Sequence, residues 1–200
     1  MVSEMARPQT FDKSIVLGQV MHIFWNQGYT NTSIKDLTRV TKLQPGSLYG
    51  AFKNKRNLFI NSLDLYFDNL FIAVTKILHT EEAPLKRIEN FFDFILSQKN
   101  DDKEIKSCLL VNTLLEIPPQ DIEINHRVSD MFKKIETEFC KVLEQAELNN
   151  TLVHDSEPKA LAKMLMSGIF GLQIYNRMKP AENSLEDIVY NLLNNIKNKV

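Results

Sequence analysis

Apolar residues recur at three- and four-residue steps along the whole chain, and no stretch sustains the every-second-residue alternation of a half-buried strand. That period admits an all-α fold and little else. It predicts about nine helices, over 11–27, 34–40, 45–52, 54–78, 83–98, 103–117, 120–147, 156–178 and 185–197. Local punctuation supports these limits. Gly28 can close the first helix in a left-handed cap. Thr32 or Ser33 can cap the second, with Asp36 in its first turn where the helix dipole favours an acid. Pro118-Pro119 stops the sixth helix and Asn149-Asn150 the seventh.

The second and third helices are short and separated only by a tight turn at 41–43, which is helix-turn-helix geometry. In such a unit the second helix enters the major groove of DNA while the first braces it across the backbone. The stretch LQPGSLYGAFKNKRNLF (43–59) suits that role. Pro45 falls at the first helical position, where its missing N–H costs nothing. Gln44 precedes it as a cap or a reader of base edges. Gly46, Ser47 and Gly50 are small, so the helix can press close to the bases, while Leu48 and Phe52 point back into a three-helix core. Tyr49 can donate its hydroxyl to a phosphate. Lys53 and Lys55 stand at the start of the next helix, where backbone N–H groups also attract phosphate. Each feature has a plainer reading: a tight helix crossing, an interfacial tyrosine, a solvated run of lysines.

Charge is the independent observation. Net charge over 200 residues is −1, but residues 1–60 hold eight Lys/Arg against three acids, a net of +5, and the remainder carries −6. A basic head on an acidic body is a footprint for a polyanion.

Residues 24–59 also carry a recognisable pattern: Phe24, Gly28-Tyr29, Thr32-Ser33, Asp36-Leu37, Gly46-Ser47-Leu48-Tyr49, Phe52, Lys55 and Leu58. This strongly resembles the DNA-binding domain of TetR/AcrR-family transcriptional regulators over about residues 10–66. The resemblance implies phosphate contacts at Thr32 and Ser33. It puts Gln44, Pro45, Gly46, Ser47 and Tyr49 on the recognition helix and makes Lys55 a phosphate clamp. One position departs from the family, whose turn usually has Gly where this chain has Lys42. If that residue is left-handed, a side chain there costs about 1–2 kcal/mol, and the charge of Lys42 near DNA would offset it. The expected division is a DNA-binding domain over 1–56 and a helical regulatory and dimerisation domain over 57–200, sharing the long fourth helix.

The body is similar to one large subgroup of the family at KSCLLVNTLLE (106–116) and SGIFGLQIY (167–175). The resemblance implies a homodimer joined by the last two helices. Leu161, Leu165, Gly168, Leu172 and Tyr175 make one stripe; Leu185, Ile188, Leu192 and Ile196 make another. The same stripes would also serve an ordinary monomer core. Dimerisation follows further from DNA reading, since two copies about 34–36 Å apart can read a palindrome in successive grooves. An unknown small-molecule inducer would enter among helices five to eight, lined by Phe92, Phe132, Phe139 and Phe170, or these are plain core. Cys108 is either an electrophile or oxidant sensor, its thiol pKa lowered by nearby Lys103 and Lys106, or a buried core cysteine. Cys140 reads as core.

Other classes find less support. The four histidines are scattered without metal-ligand spacing, and neither a Gly-rich phosphate loop nor a nucleophile elbow is present. No cofactor, metal or catalytic residue is expected. An all-helical enzyme and a protein-interaction module without DNA binding remain the alternatives. With no apolar run of about 18 residues and no signal-peptide pattern at the start, the expected location is the cytoplasm and no membrane partner is expected.

Overall fold

The computed structural model describes residues 11–98, 107–153, 156–178, 181 and 183–197. Among them lie nine α-helices, and outside helices only an isolated bridge between Leu152 and Lys197. They are α1 (Lys13–Gln27), α2 (Ile34–Thr41), α3 (Pro45–Phe52), α4 (Lys55–Leu78), α5 (Pro84–Ser97), α6 (Leu109–Glu116), α7 (Ile122–Leu148), α8 (Pro158–Asn176) and α9 (Ser184–Asn194).

The first four helices begin where local chemistry says they should. Asp12 caps α1 by accepting the Ser14 amide at 2.8 Å, and Gly28, at φ 80°, ends it by donating its N–H to the Phe24 carbonyl. Ser33 and Asp36 form a reciprocal capping box on α2, which contributes about 1 kcal/mol. The Ser33 hydrogen bonds hold the Asp36 carboxyl below its ordinary range, with Arg39 adding a smaller pull. Asn54 caps α4 by accepting the Asn57 amide at 2.8 Å.

Later boundaries differ from the sequence reading. The sixth helix, expected from Lys103, starts at Leu109: Cys108 is its extended N-cap at φ −69° and ψ 127°. Lys103 and Lys106 lie outside the described residues. The last helix, expected to reach residue 197, stops at Asn194, because the chain turns so that the Ile196 carbonyl accepts the Val153 amide.

One continuous core runs from head to body. Val20 and Phe24 of α1, Leu37 of α2, Leu48 and Phe52 of α3 and Leu58 of α4 are all buried in it. Phe24 meets Phe59 edge-on at 5.0 Å between ring centroids. Burying two such rings stabilises the head by roughly 1.5–3 kcal/mol each. Helix α4 then carries the core into the body, where it packs on α1, α5, α6 and α7. By length and composition alone α4 would pass as a membrane span, although Asp64 and Asp68 interrupt its apolar residues. It is instead the central core helix, with Leu63, Phe67, Val74 and Leu78 buried.

Helix α8 packs along α7, and α9 closes over α5 and α8. This assigns the two expected dimer stripes differently. Leu161, Leu165, Leu172 and Ile196 are buried in the chain's own core and leave little surface for a partner. Gly168 seats Leu192 within the chain: a Cβ added to Gly168 would lie 2.4 Å from a Leu192 methyl carbon. Leu185, Ile188 and Leu192 are half-buried. Tyr175 stays exposed, beside exposed Gly171 and Ile174 on the outer face of α8, with exposed Met178 in the turn just past its end.

Candidate nucleic-acid interface and regulatory cavity

The turn between α2 and α3 is three residues long, Lys42, Leu43 and Gln44. Leu43 is buried and anchors it. Lys42 is left-handed, at φ 57° and ψ 19°, so the turn needs the conformation that glycine adopts without strain. A second lysine is strained at the other end of α3. Lys53, at φ 69° and ψ −59°, sits at the centre of a three-residue γ-turn, closed by the Asn54 amide on the Phe52 carbonyl at 2.9 Å. Two exposed cations in unfavourable backbone conformations therefore bracket this helix.

Between them, α3 buries Leu48 and Phe52 and turns Pro45, Gly46, Ser47 and Gly50 outward. Gln44 occupies the N-cap by backbone geometry only; its exposed side chain makes no capping bond. A Cβ built on Gly46 or Gly50 meets nothing within 4 Å. No helix crossing among the described residues requires their smallness, yet a helix-interior glycine costs about 1 kcal/mol relative to alanine.

Tyr49 and Lys55 line one side of this surface, both half-buried. The Lys55 ammonium lies 4.5 Å from the centre of the Tyr29 ring, a cation–π contact. Burial pulls the Lys55 ammonium below its ordinary range, against the opposing charge of Glu116. Burial, reinforced by Tyr29, raises the Tyr49 hydroxyl, so it stays a donor. Ser33 is exposed at the start of α2. Thr32 is not available there. Its side chain is buried, and its hydroxyl donates to the Gly28 carbonyl, so the phosphate contact implied for that hydroxyl does not stand.

A second feature lies in the body. A cavity of about 260 Å³ opens between α1, α4, α5, α7 and α8. Of the aromatics expected to line it, Phe132 does. Phe92 and Phe139 are fully buried in the core, and Phe170 instead packs edge-on against Phe132 at 4.8 Å. Periodicity gave their inward direction but not where the packing leaves room. Cys108 also lines the cavity, hydrogen-bonded to Tyr66. Burial pushes its thiol pKa up, with Tyr66 and the Val111 amide pulling the other way less strongly. This direction is opposite to the lowered pKa expected of a sensor thiol, and Lys103 and Lys106, which were to lower it, lie outside the described residues. Cys140 is half-buried rather than core, its sulfur 3.5 Å from Glu144.

The sequence reading missed Trp25, Tyr66 and Gln173 in the cavity wall. It also missed Glu116, whose carboxylate accepts the Tyr29 and Thr30 amides at 2.9 and 2.6 Å. Their signals were present but weak: a lone tryptophan beside the first-helix stripe, and single polar residues ending or interrupting apolar runs.

A small helix-turn-helix head with an outward glycine-rich helix, joined through α4 to a helical body with its own cavity, is the architecture of a DNA-binding regulator. Residues 20–61 match the family model described as bacterial regulatory proteins, tetR family, and residues 84–189 match that of the tetracyclin repressor-like C-terminal domain. The chain belongs to the TetR family: it is a DNA-binding transcriptional regulator and not an enzyme. It is 26% identical over 189 residues to an uncharacterized HTH-type transcriptional regulator of Bacillus subtilis, YezE, spanning 92% of this chain and 96% of the relative. Over 172 residues it is 26% identical to the HTH-type transcriptional repressor ComR of Escherichia coli, spanning 86% and 82%. The fold also matches a cysteine mutant of the TetR-family regulator CifR in complex with 26-bp double-strand operator DNA. There the TM-score is 0.82 at 22% identity, covering 94% of this chain and 98% of that one. The reduced form of Escherichia coli NemR matches with a TM-score of 0.82 at 18% identity, covering 94% and 97%.

Proposed function

We propose that the protein is a cytoplasmic, homodimeric repressor that holds a palindromic operator and releases it when a small molecule enters the body cavity. Residues 1–56 form the DNA-reading unit and 57–200 the regulatory and dimerising unit. The carrying observation is the outward face of α3, where two glycines cost helix stability and serve no contact among the described residues. Their use is close approach of the helix backbone to the floor of a groove. Gln44, Pro45, Gly46, Ser47 and Tyr49 face the bases and the adjoining strand. Ser33, Lys42, Lys53 and Lys55 hold phosphates on either side. The repressor assignment draws support from the named role of ComR, and the operator from the DNA bound to CifR.

A second copy is needed because one eight-residue helix reads few bases. The exposed apolar face of α8, with Gly171, Ile174 and Tyr175, and Met178 just past its end, supplies the surface for it. Reversible occupation of the cavity fits the wall better than covalent capture, because burial keeps the Cys108 thiol protonated.

The test is selection of genomic fragments by the purified protein, followed by equilibrium binding at several salt concentrations. A palindromic consensus is expected, with affinity falling steeply as salt rises because neutralised phosphates release counterions. Failure to enrich any site, or a flat salt response, would remove the proposal.

A further inference from the structure

None of the described residues lining the body cavity carries a formal charge. A charged ligand would lose its hydration there without a counter-charge, so an uncharged one is favoured. Most of the wall is apolar, including Phe91, Phe94, Phe132 and Ile135. At about 260 Å³ it exceeds the ~150 Å³ cavity that takes one benzene ring, leaving room for a ring with a short chain.

Gln173 breaks this wall. It stands on α8 and is 8% exposed. Its Oε1 accepts the Cys108 backbone N–H at 2.9 Å. A backbone N–H can be met only by the amide oxygen, so this bond fixes which way the amide faces. The two N–H groups of Nε2 must then point elsewhere, and none of the described residues accepts from them. Gln173 lines the cavity, so these N–H groups are open to an acceptor placed inside it.

We infer that the cavity takes an uncharged, mostly apolar molecule bearing one carbonyl-type acceptor, and that Gln173 Nε2–H donates to that acceptor. This rests on the reading of the cavity as the effector site. It also gives the ligand a short path to the head. The same Gln173 amide holds Cys108, the cap of α6, and α6 is a rod of eight residues, about 12 Å long. Its last residue, Glu116, holds the Tyr29 and Thr30 amides of the α1–α2 turn.

Trp25 is the chain's only tryptophan and lines the cavity, so its fluorescence reports occupancy directly. Three probes of similar shape separate the possibilities: benzylacetone, butylbenzene and hydrocinnamate, which carry a ketone, no polar group and a carboxylate. Each is titrated into the full-length wild type and into Gln173→Met. Benzylacetone and butylbenzene should both perturb Trp25, and hydrocinnamate should not. On Gln173→Met the ketone-to-hydrocarbon affinity ratio should fall roughly tenfold, the value of one lost hydrogen bond. The carbonyl stretch of benzylacetone bound to wild type should lie below its frequency in a hydrocarbon solvent, a reading that needs no variant. An unshifted stretch, or a ratio that survives the substitution, overturns the role of Gln173 and leaves the cavity reading intact. Tightest binding by hydrocinnamate overturns the uncharged class. If no probe perturbs Trp25, the cavity reading itself fails, and this inference with it.

Discussion

Glu116, the last residue of α6, accepts the Tyr29 amide at 2.9 Å across 87 residues of sequence. The same carboxylate accepts the Thr30 amide at 2.6 Å, and its Oε2 lies 2.7 Å from where a Cβ on Gly28 would stand. The turn that leads from α1 into the helix-turn-helix is thus seated on the body. Gly28, at φ 80°, is needed twice there, for its backbone angle and for its lack of a side chain.

Glu116→Ala should therefore destabilise the fold by about 1–2 kcal/mol, the low end for amides bonded to a charged acceptor, since the carboxylate is half-buried. Gly28→Ala should cost more, because it adds backbone strain to the collision. Urea titration checks both. Equal or higher stability in the two variants would contradict the seating of this turn.

Lys42→Gly should stabilise the protein while weakening its grip on DNA. Relief of left-handed strain is about 1–2 kcal/mol, and the extra freedom of glycine in the unfolded chain returns roughly half of it. The midpoint of unfolding should rise. The slope of log affinity against log salt should become shallower by about one phosphate contact.

Cys108 should alkylate slowly at neutral pH. Its thiol pKa is raised above the ordinary 9.0 by burial, so less than about 1% is thiolate at pH 7. Peptide mass spectrometry after iodoacetamide should show a rate that keeps climbing as pH passes 9. Rapid labelling at pH 7 would revive a sensor thiol.

Acid should loosen the joint between head and body. Arg56 on α4 binds Asp121, the cap of α7, through both nitrogens, and also Glu123 at 2.8 Å. The Arg56 hydrogen bonds hold the Asp121 carboxyl below its ordinary 3.8. Its folded value is the depressed one, so its contribution is complete above about pH 4 and is lost as pH falls through that lower value. The pair is partly exposed, and its contribution is about 1 kcal/mol after screening. Asp121→Asn should lower stability at pH 7 and flatten its decline below pH 4.

How much of this was legible in sequence varies by scale. The head's helices could be read because their signals are local: Asp36 stands three residues after Ser33, Pro45 opens α3, and Asn54 precedes α4. The direction of single side chains was less legible. Thr32 fits the family pattern, yet its hydroxyl turns inward to Gly28. The body was legible as helices but not as a site. Periodicity gives the inward face of α5 and α7 without saying that Phe139 fills space while Phe132 borders a void. Part of the expected dimer stripes went to the chain's own core for a related reason, since an apolar face looks the same whether its own chain or another copy covers it. Leu165 and Leu172 went to the former. Glu116 and Gln173 act only through contacts distant in sequence, which no local pattern records.

The central claim is that the outward face of α3 lies against DNA bases, and operator affinity of Gly46→Leu tests it most directly. A Cβ at Gly46 meets nothing within 4 Å among the described residues, so the melting temperature should be unchanged or raised. Affinity for the selected operator should fall at least tenfold. A folded variant that binds the operator as tightly as wild type would contradict the account.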